Sequence, residues 1–181
     1  MATSDQHLIL IRGNSASGKT SLARELQVAM GRGTANIGQD HFRRVVLREH
    51  DVPGGDNVEL IALAARHCLK IGYHVILEGI LFSQHYGDML RTLLDEHPGP
   101  RHVFYLDVPL DESVRRHERR PLRAEVNEAQ IRSWYVDADH LGVAGEFVVS
   151  GSRGLGEVLH EVRTNIGHVL PLAVRTEGQF L

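Results

Sequence analysis

The chain has 181 residues, 42% of them hydrophobic, and its 20 Lys and Arg against 23 Asp and Glu give a net charge of −3. That length and apolar fraction suit one domain, residues 1–181, with a full core, and the near balance of charge argues against a dedicated nucleic-acid binder, which carries a basic excess. A single cysteine, Cys68, rules out an intrachain disulfide, and its place in the apolar run Ile61 to Leu69 predicts a buried structural thiol. No apolar run approaches the ~20 residues of a membrane span. The short polar segment Met1 to Gln6 lacks the layout of a secretory signal, so a cytoplasmic protein without membrane association is expected. The twelve histidines are scattered without metal-ligand spacing, and no structural zinc is expected.

In chain order, His7 to Ile11 (HLILI) reads as a buried parallel strand. Gly13 to Thr20 is a Gly/Ser-rich loop, followed by a helix to Met30 with Leu22, Leu26 and Met30 on one face and Gly31 as its stop. Thr34 to Ile37 is a second strand, and Asp40 stands as the cap of a helix over Asp40 to Glu49. Asp51 to Asp56 (DVPGGD) is turn chemistry. Asn57 to Ile71 is a helix with Leu60, Leu63, Ala64 and Cys68 on its apolar side. Strand three is Tyr73 to Leu77, a helix covers Gln84 to Glu96, and strand four is Arg101 to Leu106. Helices over Asp111 to Arg120 and Glu128 to Ala138 flank a short break. Strand five is Glu146 to Val149, the last helix is Gly156 to Leu170, and Pro171 to Leu181 reads as a loose tail. Strands alternating with helices predict an α/β fold, a parallel five-stranded sheet with helices on both faces, whose ligands bind beyond the carboxyl ends of the strands.

Gly13-Asn14-Ser15-Ala16-Ser17-Gly18-Lys19-Thr20 matches G-x-x-x-x-G-K-[ST] without a mismatch, between a strand and a helix. Its N–H groups and the helix dipole cradle phosphates, Lys19 reaches the β- and γ-phosphates, and the Thr20 hydroxyl binds Mg²⁺. Binding of a nucleoside triphosphate, by default ATP, follows; the reaction does not. Asp40 after strand two is placed to accept the proton of an acceptor hydroxyl, and Arg43, one turn on, either holds a polar or anionic part of the acceptor or pairs with Asp40. Glu78, ending the apolar run VILE, sits where a carboxylate holds Mg²⁺ or orients the acceptor. Ile80, Leu81 and Phe82 line an acceptor pocket or belong to the core, and the residues alone do not separate these. Arg115, Arg116, Arg119, Arg120 and Arg123 crowd nine residues. After strand four that run is the expected site of a short lid, roughly residues 115–127, whose arginines neutralise charge on the transferring phosphoryl group. Arg116 and Arg120 lie four apart and share a helix face. Arg153, in the loop after strand five, is placed beside the adenine. Residues 42–66 and the helix carrying Arg132, Trp134 and Tyr135 are expected to shape the acceptor pocket.

Together, GNSASGKT, QDHFR, ILEG and LDVPLDESVRRHERR resemble the P-loop kinases grouped around polynucleotide 5′-kinase, chloramphenicol phosphotransferase and zeta toxin, over roughly residues 7 to 150. The resemblance implies a P-loop NTPase sandwich with a short arginine-rich lid, ATP and Mg²⁺ as cofactors, Asp40 as base, Arg43 on the acceptor side, Glu78 as an active-site acid, and Arg120 and Arg116 as lid arginines. The activity expected is transfer of the γ-phosphate to a hydroxyl of a small molecule: a nucleoside, a sugar or an antibiotic-like compound. The alternatives are a polynucleotide 5′-hydroxyl kinase, which the scarcity of aromatic stacking residues opposes, a nucleotide-sugar kinase like zeta toxin, and a non-kinase ATP-binding protein. No N-K-x-D tetrad supports a GTPase.

Overall fold

A computed structural model of the protein describes residues 5–119 and 126–169. Five strands, β1 (Leu8–Gly13), β2 (Thr34–Gly38), β3 (His74–Glu78), β4 (Arg101–Asp107) and β5 (Glu146–Ser150), form one sheet in the order β2-β3-β1-β4-β5. Every neighbouring pair is parallel. The connecting helices are α1 (Lys19–Met30), α2 (Asp56–Lys70), α3 (Ser83–Glu96), α4 (Leu110–His117), α5 (Glu128–Trp134) and α6 (Leu155–Ile166). The fold is the expected three-layer α/β sandwich.

The unbroken apolar run of β1 has a physical cause. Successive side chains point to opposite faces of a strand, and here both faces are covered. Leu8 and Leu10 join the core shared with α2 and α3, through Ile61, Leu69, Leu90 and Leu93. Ile9 and Ile11 join the core shared with α1 and α6, through Leu22, Leu26, Val158 and Val162. All four β1 residues are fully buried, each contributing roughly 2–3 kcal/mol of burial.

Several expectations are corrected. The segment expected as a regular helix over Asp40 to Glu49 is a π-helix over His41–Leu47, ended by Arg48 in the left-handed conformation at φ 55°. Asp40 does not cap it; its backbone is already helical and its side chain makes no cap bond. The helix expected to reach Ala138 stops at Trp134, where Tyr135 turns extended. There the Asn14 side chain takes both backbone groups of Val136, which a continuing helix would need. The face of α2 is rotated from the expected one: Asn57, Ile61, Ala62, Ala65 and Leu69 are buried, Leu63 is 61% exposed, and Ala64 and Cys68 pack at the edge of the cluster. Cys68 is therefore half-buried rather than sealed in the core. The helices ending at His117 and Ile166 are shorter than expected, the latter closed by Gly167 at φ 80°. Arg120, Arg123 and the tail 171–181 lie outside the described residues. Among the described residues no helix is long and apolar enough to cross a membrane.

The amino ends of the strands gather histidines. The His7 backbone N–H donates to His74 Nδ1 at 2.9 Å, the His7 and His102 rings meet at 3.0 Å, and His97 Nε2 bonds the Gln6 carbonyl at 2.8 Å. Burial lowers the His7 pKa from 6.5 to about 4, helped by His102, His74 and His97 and opposed by Asp5. Burial also lowers His97 and His102. These rings fold neutral, so the unfolded chain binds more protons as the pH falls below 6.5. Urea unfolding should show this contribution intact above pH 6.5 and lost progressively toward pH 4, with the loss shallower in His7→Gln. Identical pH profiles for the two proteins would contradict the assignment.

Candidate functional site

The loop after β1 is built around backbone that side chains would block. Gly13 adopts φ 144°, and a Cβ there would lie 2.5 Å from the Leu106 carbonyl oxygen of β4, its register partner. Gly18 adopts φ 100° at the entry to α1, in open space. Between them the chain curls so that Lys19, on the first turn of α1, folds back. Its Nζ donates to the Asn14 carbonyl at 2.6 Å and to Ser17 Oγ at 3.1 Å. Lys19 is buried, held over the loop whose N–H groups and helix end form an anion cradle.

Glu78, at the carboxyl end of β3, faces this loop. Its two carboxylate oxygens lie 3.1 and 3.2 Å from Thr20 Oγ1. Gly38 on β2 leaves it room: a Cβ there would lie 3.0 Å from the carboxylate. Burial pushes the Glu78 carboxyl pKa up, while Lys19 and the Thr20 bond pull it down and Asp40 pushes it further up. A hydroxyl touching a buried carboxylate is a donor set of hard oxygens that fits Mg²⁺.

Asp40 follows β2. Its Oδ1 accepts from Arg43 Nη2 at 2.9 Å and from Arg44 Nε at 3.2 Å. The carboxylate itself is exposed. Ser15, Ala16, Gly18, Lys19, Thr20, Asp40 and Glu78, expected from sequence to act together, wall one small cleft, joined by Arg44, Ile80 and Trp134.

Arg44, Ile80 and Trp134 also wall a second cavity of about 590 Å³, with Arg43, Asp51, Phe82 and His85 among its lining. The two spaces therefore adjoin through shared side chains. The apolar run after Glu78 divides: Ile80 and Phe82 face the cavity, whereas Leu81 is fully buried in the core. Arg116 and Arg153 are elsewhere. They line a third cavity, of about 240 Å³, behind the loop, with Ser17, Gly18, Leu106 and Gly151. Arg116 Nε donates to Glu112 Oε1 at 2.6 Å, and Arg153 pairs with Glu161. Arg132 is turned away from the second cavity, pairing with Glu128 and Asp111, and the Tyr135 hydroxyl donates to the Val108 carbonyl.

Three features escape the sequence reading. Arg12 is fully buried and donates to the Leu81 carbonyl, to the Asp139 carbonyl and carboxylate, and to Glu146. A charge inside HLILIRG was its available signal. Asp139 also accepts from the Ser83 N–H and hydroxyl, so Arg12 ties together the loops before α3 and after α5. Asp51, His85, Tyr86, Gln39 and Asn57 form a hydrogen-bond network against the second cavity, assembled from segments too distant in sequence to be read together.

The family model described as the AAA domain matches residues 8–137. No curated sequence matches the chain. Among solved structures, a putative kinase from Chloroflexus aurantiacus j-10-fl is 20% identical with a TM-score of 0.70, covering 91% of this chain and 97% of its own. The APS kinase CysC of Mycobacterium tuberculosis, in complex with AMPPNP and APS, is 17% identical with a TM-score of 0.70, covering 91% and 99%. A gluconokinase from Sinorhizobium meliloti 1021 is 17% identical with a TM-score of 0.63, covering 91% and 93%. The likeness establishes the fold as that of P-loop kinases.

The two loop glycines should respond differently to alanine. Gly13→Ala adds a backbone clash to an unfavourable dihedral and should destabilise by about 3 kcal/mol or more, whereas Gly18→Ala meets only the dihedral cost of roughly 1–2 kcal/mol. Thermal unfolding of both variants checks the order; equal losses would contradict the packing of Gly13 on Leu106.

Proposed function

The chain belongs to the AAA domain family, and we propose that it is an ATP-dependent kinase that transfers the γ-phosphate to a hydroxyl of a small molecule. The observation carrying this reading is the juxtaposition of Asp40 with the phosphate loop in a cleft that adjoins a cavity of about 590 Å³. An ATPase needs room only for water beside the γ-phosphate. A cavity of this size falls within the ~300–1,000 Å³ of small-molecule sites. The kinases of similar fold agree with the reading.

The proposed chemistry uses the site as follows. The loop N–H groups and Lys19 bind the β- and γ-phosphates, with Lys19 exchanging its bonds to Asn14 and Ser17 for phosphate oxygens. Thr20 and Glu78 would hold Mg²⁺, which would neutralise charge on the phosphates. The adenine is placed behind the loop, in the cavity lined by Arg116 and Arg153. The acceptor hydroxyl oxygen attacks the γ-phosphorus, the bond to the β–γ bridging oxygen breaks, and ADP leaves with that electron pair. Asp40 takes the hydroxyl proton. Arg43 and Arg44 both bind its Oδ1, which orients the carboxylate and leaves Oδ2 for the acceptor. Arg116 is proposed to stabilise the transferring group, with Arg120, only on leaving its bond to Glu112 and the cavity behind the loop.

Two substitutions test this division of labour. Asp40→Ala should lower kcat by about 10²–10⁴-fold with little change in nucleotide affinity; unchanged turnover removes Asp40 as base. Lys19→Ala should weaken binding of Mg–ATP or its transfer by at least about tenfold, measured by calorimetry and steady-state kinetics, and wild-type behaviour in both would overturn the phosphate-loop assignment.

A further inference from the structure

Asp51 and His85 form one polar part of the second cavity's lining, which also carries Arg43 and Arg44. Asp51 lies in the turn between the π-helix and α2, and His85 on the first turn of α3. Their side chains are 21% and 17% exposed, so each retains a face toward the cavity. Asp51 Oδ1 receives the Tyr86 hydroxyl at 2.9 Å and the His85 Nδ1 at 3.3 Å, and Oδ2 receives Gln39 Nε2 at 3.1 Å. Gln39 also donates to the Tyr86 oxygen at 2.8 Å, and both Gln39 and Tyr86 are buried. The carboxylate is thus held from behind by groups that cannot move independently.

The donor and acceptor count then fixes what these two residues can offer. An ionised carboxylate only accepts, through about four lone pairs, and three donors lie within reach of it, the single Tyr86 hydrogen being shared with Asn57 Oδ1 at 2.8 Å. Because Asp51 cannot donate, the hydrogen between the two residues must belong to His85 Nδ1. When the imidazole carries a single N–H, as the geometry assigns to Nδ1, His85 Nε2 is left with a bare lone pair. What remains open on both residues is acceptor capacity. A ligand seated there must bring donors; one that does not would bury two acceptors without partners, which costs about 1–3 kcal/mol each.

We propose that Asp51 and His85 are the specificity-determining residues of the acceptor cavity and select a small molecule that carries a hydroxyl or amino donor in addition to the hydroxyl that is phosphorylated. The inference rests on the kinase reading and narrows its substrate to donor-rich compounds, polyols and amino-substituted polyols, over hydroxyl compounds whose remainder is apolar or alkylated. It also connects recognition to chemistry. Gln39, which holds Asp51, directly precedes Asp40 in the chain, so a ligand seated on Asp51 rests on the same framework that sets the backbone beside the proposed base.

Trp134 is the only tryptophan of the chain and lines this cavity, so its fluorescence reports occupancy. Protein saturated with Mg–AMPPNP is titrated with matched pairs: myo-inositol and its hexa-O-methyl ether, D-glucose and its tetra-O-methyl derivative, adenosine and its 2′,3′-di-O-methyl derivative, kanamycin and its N-acetylated form. The donor-bearing member of at least one pair should bind about tenfold or more tightly than its counterpart, and His85→Phe, which keeps a ring and removes its nitrogens, should erase that preference. Absence of preference in every pair, including absence of binding, or a preference that survives His85→Phe, overturns the proposal. Nitrogen-15 NMR of the wild-type imidazole gives a readout that needs neither an acceptor nor a folded variant: Nδ1 protonated and Nε2 bare is expected, and the reverse tautomer or a ring protonated on both nitrogens overturns the proposal. Failure of Mg–AMPPNP to bind, read before any acceptor is added, counts instead against the kinase reading itself.

Discussion

A guanidinium with no exposed surface governs how this active end is assembled. Arg12, next to the phosphate loop on the central strand, lies where water cannot reach it. Burial pulls its pKa down, and Asp139 and Glu146 push it back. A buried cation is tolerated only when its donors are met, and removing one partner of such a pair costs about 3–5 kcal/mol. Here the Leu81 carbonyl, Asp139 and Glu146 meet them. The loop after β3, the segment after α5 and the start of β5 are thereby drawn together around Arg12.

The residues proposed to act follow from that convergence. With Leu81 fixed in the core, its neighbours Ile80 and Phe82 are turned toward the cavity. With Asp139 bonded to both Arg12 and Ser83, the stretch from Trp134 onward returns across the phosphate loop, where Asn14 binds both backbone groups of Val136. Ile80 and Trp134 then serve as walls of both the phosphate-loop cleft and the second cavity. The proposed nucleotide and acceptor sites are thus held in fixed relation by the bonds of the Asn14 side chain to the Val136 backbone and by one buried charge. Such fixed relation is what transfer in line requires, because misplacement of the reacting groups by about an ångström can cost 10²-fold.

The parts legible in the sequence were those written locally. The alternation of apolar runs with helical periods gives the sheet, and GNSASGKT gives the cradle, because one short segment contains all the chemistry of each. Glu78 was legible for the same reason: an acid ending an apolar strand. The π-helix after Asp40 was hidden, since its residues carry no signal that separates wide from ordinary helical turns. Leu63 was misplaced because α2 has apolar residues on more than one face, and only packing against β2 and β3 selects Ile61 and Ala65. The Asp51–His85 network was out of reach, since its members lie on three segments and meet only through the fold. The run after Glu78 was ambiguous for a similar cause: Leu81 and its two neighbours are alike in hydropathy, and the difference between them is a left-handed backbone at φ 47°.

The central claim is that the cleft holding Lys19, Thr20, Glu78 and Asp40 moves a phosphoryl group to a hydroxyl. Phosphorus-31 NMR of Mg–ATP with the protein and a mixture of hydroxylated small molecules tests it most directly. A phosphomonoester resonance that grows as ADP appears, and is absent with Asp40→Ala, is the predicted result. ADP appearing with inorganic phosphate alone, at the same rate in both proteins, would contradict the account.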